Sequence, residues 1–257
     1  MTTKRQSVLK NPAVIYGVGS VLLGLLAWEV GARILDNQFF LAPPSAVFRV
    51  LVKLFLGPVY PHLWISFVEF AIGLSLGAAC GIGLGIVMAL NARIRFSLDP
   101  WVAAFYSMPS VALAPLFILW FGVGIWSKVA VVFLVTSIPI LVNTFVGIRG
   151  TDARLLEAVR AFGANSWQEV RIVRLPWALP SLVAGLRLAV GRGLVGIVVG
   201  ELFGARAGIG FLIFDASQRF DSASLLAAVL ILAVVGILSV YGLEALEHRI
   251  GGWKGAS

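Results

Sequence analysis

The sequence predicts an all-α membrane protein with six transmembrane helices. Hydrophobic residues make up 60% of its 257 residues and charged residues only 12%, whereas a soluble globular domain carries about 25% charged residues. A helix needs about 20 apolar residues to cross a bilayer, and spans must be helical because lipid cannot satisfy free backbone groups. Six stretches qualify: residues 13–35, 63–90, 101–121, 126–148, 182–203 and 225–246.

The six spans are expected to form one domain over residues 1–257, because no tandem repeat or low-complexity linker interrupts them. Three connections are longer than simple turns. Residues 36–62 contain a predicted interfacial helix around Ser45 to Phe55, and residues 204–224 are expected to dip back towards the membrane. The longest polar connection is residues 149–180.

The placement of Lys and Arg predicts that both termini are cytoplasmic, because cytoplasmic loops carry an excess of these residues. With the N-terminus inside, twelve fall in cytoplasmic segments and six outside. The net charge of +8 therefore reflects topology, and no nucleic-acid partner is expected. The inside set is Lys4, Arg5, Lys10, Arg93, Arg95, Arg149, Arg154, Arg160, Arg171, Arg174, Arg249 and Lys254, and the outside set is Arg33, Arg49, Lys53, Lys128, Arg206 and Arg219.

Four glycines of the second span, Gly73, Gly77, Gly81 and Gly85, recur every four residues and lie on one helical stripe. Such a stripe allows another helix to approach closely and gain dispersion contacts. The pattern predicts that this span lies inside a helix bundle.

Prolines interrupt the third and fourth spans at Pro109, Pro115 and Pro139. Each removes a backbone donor and can kink its helix. Such breaks are tolerated where neighbouring helices or a cavity satisfy the freed carbonyls.

The polar connection over residues 149–180 reads as two short helices around a glycine. The first is predicted over Asp152 to Phe162, with Thr151 or Asp152 as its cap, and Gly163 supplies the left-handed turn that ends it. Ser166 and Glu169 have the spacing of a capping box, and prolines at 176 and 180 are expected to stop the second helix. This hairpin suits docking in a partner's groove or lying on a lipid surface, and composition leaves both open.

Five residues of this hairpin, Glu157, Ala158, Gly163, Leu175 and Pro176, match the EAA motif of ABC importer permeases in the family's register. That motif reads Glu-Ala-Ala, three residues, Gly, nine residues, Ile, one residue, Leu-Pro. Here Val159 replaces the third small residue and Val173 the isoleucine, and the bulkier Val159 is expected to alter local packing.

The resemblance extends over about Phe40 to Ile250. Within it, residues 109–124 (PSVALAPLFILWFGVG) and 198–212 (VVGELFGARAGIGFL) look like the branch that imports nitrate, sulfonates, taurine and related solutes. It implies a type I ABC importer permease fold in a bacterial inner membrane.

The same resemblance implies the partners: a second permease chain, expected as a homodimer, two cytoplasmic ATPase subunits and an extracytoplasmic solute-binding protein. The chain has no G-x-x-x-x-G-K-[ST] phosphate loop. It is therefore expected to be a non-catalytic subunit without a cofactor, and ATP and magnesium are expected in the ATPase.

In this family the hairpin is the coupling helix that docks on the ATPase. Glu157, Ala158, Phe162, Gly163, Leu175 and Pro176 are its candidate coupling residues. Gly163 permits the turn, Ala158 allows close packing, and Glu157 is expected to hold the loop through a polar contact.

Charged residues within spans are costly and usually face the bundle interior or water. In the fifth span Arg192 and Glu201 are candidates for the substrate path, and Arg192 could meet an anionic solute. Glu29 and Arg33 are predicted to form a local ion pair, and Glu69 is expected near the interface. The two histidines have no metal-ligand spacing, so no metal site is expected.

Two other classes of protein compete with an ABC permease. A stand-alone secondary transporter or channel usually shows inverted repeats or midspan acids that couple ions, and neither is clear here. An intramembrane enzyme needs Ser-His, Cys-His or metal constellations inside the spans, and both histidines, at 62 and 248, lie at or beyond span ends.

Overall fold

The structure is a computed structural model that describes residues 12–35 and 40–250, and the regular elements of this part of the chain are all helical. Five helices are long and apolar enough to cross a membrane, and a helix pair bent at a short break makes a sixth span if its two arms cross together; the all-α membrane fold class is confirmed. The helices are α1 Pro12–Leu35, α2 Pro44–Phe55, α3 Val59–Leu90, α4 Ala92–Ser107, α5 Ala114–Phe121, α6 Ile125–Arg149, α7 Ala153–Ala161, α8 Ser166–Glu169, α9 Leu175–Leu202, α10 Ile209–Gln218 and α11 Ser222–Ile250.

The chain divides into two compact units: the described residues up to Tyr60 with Leu212–Leu230, and Pro61–Phe211 with the residues from Ile231 onward. The single domain over residues 1–257 and the cytoplasmic location of both termini stay predictions. Four of the basic residues used for orientation lie outside the described residues: Lys4, Arg5, Lys10 and Lys254.

In the first unit α1 fixes the start of α2. Arg33 Nη2 lies 2.6 Å from Glu29 Oε1, so the predicted ion pair is confirmed. Glu29 also accepts hydrogen bonds from the backbone N–H of Ser45 at 3.0 Å and from its hydroxyl at 2.8 Å. The acid supplies the cap that Pro43 cannot give to α2.

The third span is not the single helix predicted over residues 101–121. The helix α4 ends at Ser107, a short 3₁₀ turn covers Ser110–Leu113, and α5 follows, so that the two arms are bent by 89°. Proline disfavours helical geometry in the residue before it, and Met108, which precedes Pro109, is extended (ψ 138°). The break therefore lies at the first of the prolines noted in this span.

The second unit is built around α6, which packs closely against α3. A Cβ atom on Gly73 would lie 2.6 Å from Val132 Cβ, and one on Gly85 would lie 2.7 Å from Thr144 Cβ. Gly77 and Gly81 face α6 in the same way, against Thr136 and Ser137. The glycine stripe of α3 thus allows the two helices to touch nearly backbone to backbone.

A second stripe of small residues, which the sequence analysis missed, lies on α9. Cβ atoms on Gly185, Gly193 and Gly196 would lie 2.7, 2.9 and 2.8 Å from side chains of α6. Their spacing of eight and three residues is helical, but it is less regular than the stripe of α3. The helix α6 is therefore held on two faces by glycine contacts.

Pro176 and Pro180 do not stop the second hairpin helix, contrary to the prediction. Residues Val170–Arg174 form a wide π turn that joins α8 to α9, and both prolines lie inside the continuing helix. Pro176 occupies the first turn of α9, where a missing N–H costs little. The candidate coupling residues Leu175 and Pro176 are thus at the start of a membrane span.

Candidate functional site

The polar hairpin between α6 and α9 begins with a well-capped short helix. Asp152 Oδ1 accepts a hydrogen bond from the backbone N–H of Arg154 at 2.9 Å, so that Asp152 is the cap of α7. At the other end Gly163 has a φ of +78°. Its N–H donates to Arg160 O at 2.9 Å, and Ala164 N–H donates to Val159 O at 3.1 Å. This is the Schellman pattern that glycine favours, and it confirms the predicted turn.

The second helix of the hairpin starts one residue earlier than the predicted capping box. Asn165, not Ser166, is the cap of α8: its side chain accepts from Gln168 N–H at 2.9 Å, and Gln168 Oε1 accepts from Asn165 N–H at 2.8 Å. Asparagine is among the strongest capping residues. This shift leaves Glu169 available for another contact.

Glu169 holds the two arms of the hairpin together. Its carboxylate accepts two hydrogen bonds from the guanidinium of Arg160, at 2.7 and 3.0 Å, and Arg174 lies 3.6 Å from the same carboxylate. These hydrogen bonds raise the pKa of Arg160. The sequence analysis expected Glu157 to hold the loop through a polar contact; Glu157 is exposed and interacts electrostatically with the same Arg160, and its role in the loop stays a prediction.

The clamped hairpin presents apolar side chains away from its own protomer. Phe162, at the tip, is 92% exposed, and Leu155, Trp167 and Ile172 are exposed as well. Ala158 is exposed beside them. Leu175, by contrast, packs against the buried cluster of Ile148, Ala178 and Leu182. The tip is therefore free for a partner, and the base is anchored in the span.

Arg192 lies within α9 and faces a cavity of about 380 Å³. Its guanidinium lies 5.2 Å from the centre of the Tyr106 ring, at the end of α4. The break of the third span contributes Met108 and Ser110 to the same wall. A cation, a phenol ring and a hydroxyl thus line part of a cavity whose other walls are mostly apolar.

Glu201 does not share this cavity, although the sequence analysis placed both residues on the substrate path. It is 1% exposed, and its carboxylate accepts from Ser66 Oγ at 2.5 Å and from Gly210 N–H at 2.6 Å. Glu69, expected near an interface, is also buried. The structure therefore separates Arg192 from a buried polar cluster at the end of α9.

The described residues contain no group of three or more His, Cys, Asp or Glu side chains arranged around a possible ion. His62 is used otherwise: its Nδ1 accepts from Gly208 N–H at 3.0 Å.

Comparisons with known proteins agree with these features. The sequence profile of the family described as "Binding-protein-dependent transport system inner membrane component" matches residues 81–252. A Bacillus subtilis protein named for aliphatic sulfonates transport is 36% identical over 95% of this chain and 86% of its own length. The formylaminopyrimidine transport permease protein of Halalkalibacterium halodurans is 34% identical over 91% of this chain and 93% of its own.

The taurine transport system permease protein of Escherichia coli is 30% identical over 94% of this chain and 90% of its own. Among solved structures, a chain of an inward-facing methionine ABC transporter superposes with a TM-score of 0.67 at 19% identity, covering 76% of this chain and 98% of that one. This likeness shows the type I permease fold. The chain belongs to the binding-protein-dependent transport family of inner-membrane components, and it is a permease subunit of an ABC importer.

Proposed function

We propose that this permease moves its solute by alternating access driven by a separate ATPase, and that residues 149–180 are the coupling element. The observation that carries the proposal is the hairpin itself, whose tip exposes Phe162 while Arg160 and Glu169 clamp its arms. A rigid element with an apolar tip can bind in a groove of another protein without the entropic cost of ordering a flexible loop.

The hairpin is joined at both ends to the helix pair that holds the second unit together. It follows α6 directly and leads through α8 and the π turn into α9. A displacement of the docked tip would therefore move α6 and α9 as packed bodies, which is the kind of rigid-body change that nucleotide can bias in a two-state transporter. The implied partners are two ATPase subunits, which bind ATP and magnesium, a second permease chain and an extracytoplasmic binding protein.

Reconstitution tests the dependence on the ATPase. We expect the permease, reconstituted with its cognate ATPase and binding protein, to take up solute into liposomes only when ATP is supplied on the ATPase side. Taurine, a linear alkanesulfonate and nitrate serve as probes. Flux of any probe through the permease alone in ATP-free liposomes would instead support a stand-alone transporter or channel.

We further propose that the solute is a small anion and that Arg192 lies on its path. A guanidinium inside a span is costly unless it meets water or an anion, and it can bind a sulfonate or carboxylate through two hydrogen bonds. The phenol ring of Tyr106 makes a cation–π contact with this guanidinium and so restrains its position. Glu201 stays a candidate for the path, although its buried contacts favour a structural role.

Replacement of Arg192 by glutamine is expected to reduce ATP-driven uptake of an anionic probe by roughly tenfold or more, because a charge-assisted pair is worth about 1.5–3 kcal/mol. Arg192→Lys keeps the charge and is expected to retain intermediate uptake. The readout is the initial rate of uptake, normalised to the amount of assembled transporter. Unchanged uptake in Arg192→Gln would remove this residue from the path.

A further inference from the structure

The turn between α9 and α10 is held by three consecutive backbone amides, each with its own side-chain acceptor. Gly208 N–H donates to His62 Nδ1 at 3.0 Å, Ile209 N–H to Ser66 Oγ at 2.9 Å, and Gly210 N–H to Glu201 Oε2 at 2.6 Å. These amides open α10, where the first N–H groups have no partner within the helix. Side chains of α3 and α9 thus cap α10.

Glu201 is the charged member of this cap. Its carboxylate takes hydrogen bonds from a hydroxyl and an amide, and it lies at a helix N-terminus, where the macrodipole favours negative charge. A Cβ atom on Gly208 or Gly210 would overlap the carboxylate. The two glycines therefore let the backbone close around the Glu201 side chain.

Lys128 supplies the matching positive charge from the first turn of α6. It is 3% exposed, and its three N–H donors go to the carbonyls of Val123, Gly124 and Gly204, at 2.9, 3.0 and 3.1 Å. Its ammonium is thus fully hydrogen-bonded, and it lies close enough to interact with both Glu201 and Glu69. One buried cation balances one buried carboxylate.

Glu69 is the second carboxyl group in this cluster, and it has no cation left to balance it. It is 4% exposed, its Oε2 finds no hydrogen-bond donor among the described residues, and it lies within hydrogen-bond reach of the Glu201 carboxylate. Two carboxyl groups that share a buried site cannot both be ionised without a large cost. A proton between them removes the repulsion and turns the contact into a charge-assisted hydrogen bond.

We propose that Glu69 retains a proton at neutral pH and donates it in a hydrogen bond to Glu201, and that this buried acid pair positions the turn over residues 204–210. Among the described residues, Lys128 on α6 is the charged group that acts on both carboxyl groups, and His62 on α3 accepts from the neighbouring amide of Gly208. This site lies at the start of α6 and the end of α9, opposite the hairpin, so it is independent of the coupling role proposed above.

The spacing of the polar residues in α3 could have predicted this cluster. His62, Ser66 and Glu69 are spaced at i, i+4 and i+7 in an otherwise apolar span, so they share one face of α3. Polar residues on one face of a buried span usually meet polar partners on a neighbouring helix.

Infrared spectroscopy of the purified permease in dodecyl maltoside, a detergent without the ester carbonyls of phospholipids, tests the proton directly after transfer to D₂O at neutral pH. We expect wild type to show the carbonyl stretching band of a protonated carboxylic acid, which aqueous carboxylates lack at this pH. Glu69→Gln is expected to lose this band while it retains the wild-type elution volume and ATP-driven uptake, because the amide can still donate to Glu201. Glu157→Gln, which changes an exposed acid, is the matched control and is expected to keep the band.

Two spectroscopic results would overturn the assignment of the proton to Glu69. One is wild-type protein without a protonated-carboxyl band at neutral pH, a measurement that does not depend on any variant folding. The other is a band of full intensity in Glu69→Gln, which would assign the proton to a different acid. Glu69→Ala supplies a second functional test: it cannot donate to Glu201, so its uptake is expected to fall well below that of Glu69→Gln, and equal uptake would contradict a positioning role.

Discussion

Replacement of Gly163 by valine is expected to abolish ATP-driven uptake and co-purification with the ATPase. Gly163 has a φ of +78°, a conformation that costs an L-residue roughly 1–2 kcal/mol and costs a β-branched residue more. The turn sets the angle between α7 and α8, so a distorted turn would misplace the exposed tip at Phe162 and separate Arg160 from Glu169. A coupling element that must fit a partner's groove is expected to lose its function if its tip is misplaced or if its two arms separate.

A graded series at Gly163 separates backbone strain from side-chain size. A Cβ atom on Gly163 would meet nothing within 4 Å, so steric overlap is not the cause of the expected loss. Asparagine accepts left-handed backbone better than alanine does, although it is larger. We therefore expect the amount of ATPase that co-purifies with the permease to decrease in the order Gly, Asn, Ala, Val. Affinity pull-down from solubilised membranes measures this association, and ATP-driven uptake is expected to follow the same order.

The order of that series decides the interpretation. A loss that follows side-chain volume, with alanine better tolerated than asparagine, would point to a crowded docking surface and not to the turn. Wild-type association in Gly163→Val would remove the assigned coupling role from this turn. Gly83→Val, at an exposed glycine of α3 with no atoms near its Cβ position, is a control for glycine replacement as such.

The sequence predicted this hairpin well because its determinants are local. A cap at Asp152, a glycine eleven residues further on and an apolar face over one helical turn are all visible within a short stretch of sequence. The differences within it are local as well: Asn165 caps the second helix in place of Ser166, and Glu169, which takes no part in the capping box, pairs with Arg160. Adjacent polar residues could fill the same roles, and only their three-dimensional positions decide between them.

Contacts between distant parts of the chain were largely beyond the sequence analysis. The spans were located by their hydrophobic length, but Ser66 and Glu201 are 135 residues apart, and their contact depends on how α3 and α9 pack. The continuation of α9 through Pro176 and Pro180 was missed for a related reason. A proline signals a missing N–H and a possible clash, whereas the π turn over Val170–Arg174, which leads into α9 before Pro176, has no sequence signature of its own.

Replacement of Gly81 by valine is expected to destabilise the permease more than any change on the lipid-facing side of the same helix. A Cβ atom at Gly81 would lie 2.6 Å from the backbone oxygen of Ser137 and 3.0 Å from Ile140 Cβ. Neither atom is the flexible end of a side chain, so α3 and α6 must move apart. Overpacking of this kind costs about 1–3 kcal/mol, and separation of the helices also weakens the neighbouring contacts at Gly77 and Gly85.

Gly83, two residues further along α3, is the matched control for this prediction. Its Cβ position is open, with no atom within 4 Å, and both substitutions carry the same helix-propensity change. We expect Gly81→Val to lower the thermal unfolding midpoint in detergent by roughly 5–10 °C, from a cost near 3 kcal/mol, and Gly83→Val to leave it nearly unchanged. Equal midpoints for the two variants would show that α3 does not pack on α6 through its glycine stripe. The coupling hairpin begins where α6 ends, so loosened packing between α3 and α6 should also impair transport. We expect Gly81→Val to reduce ATP-driven uptake more strongly than it reduces co-purification of the ATPase.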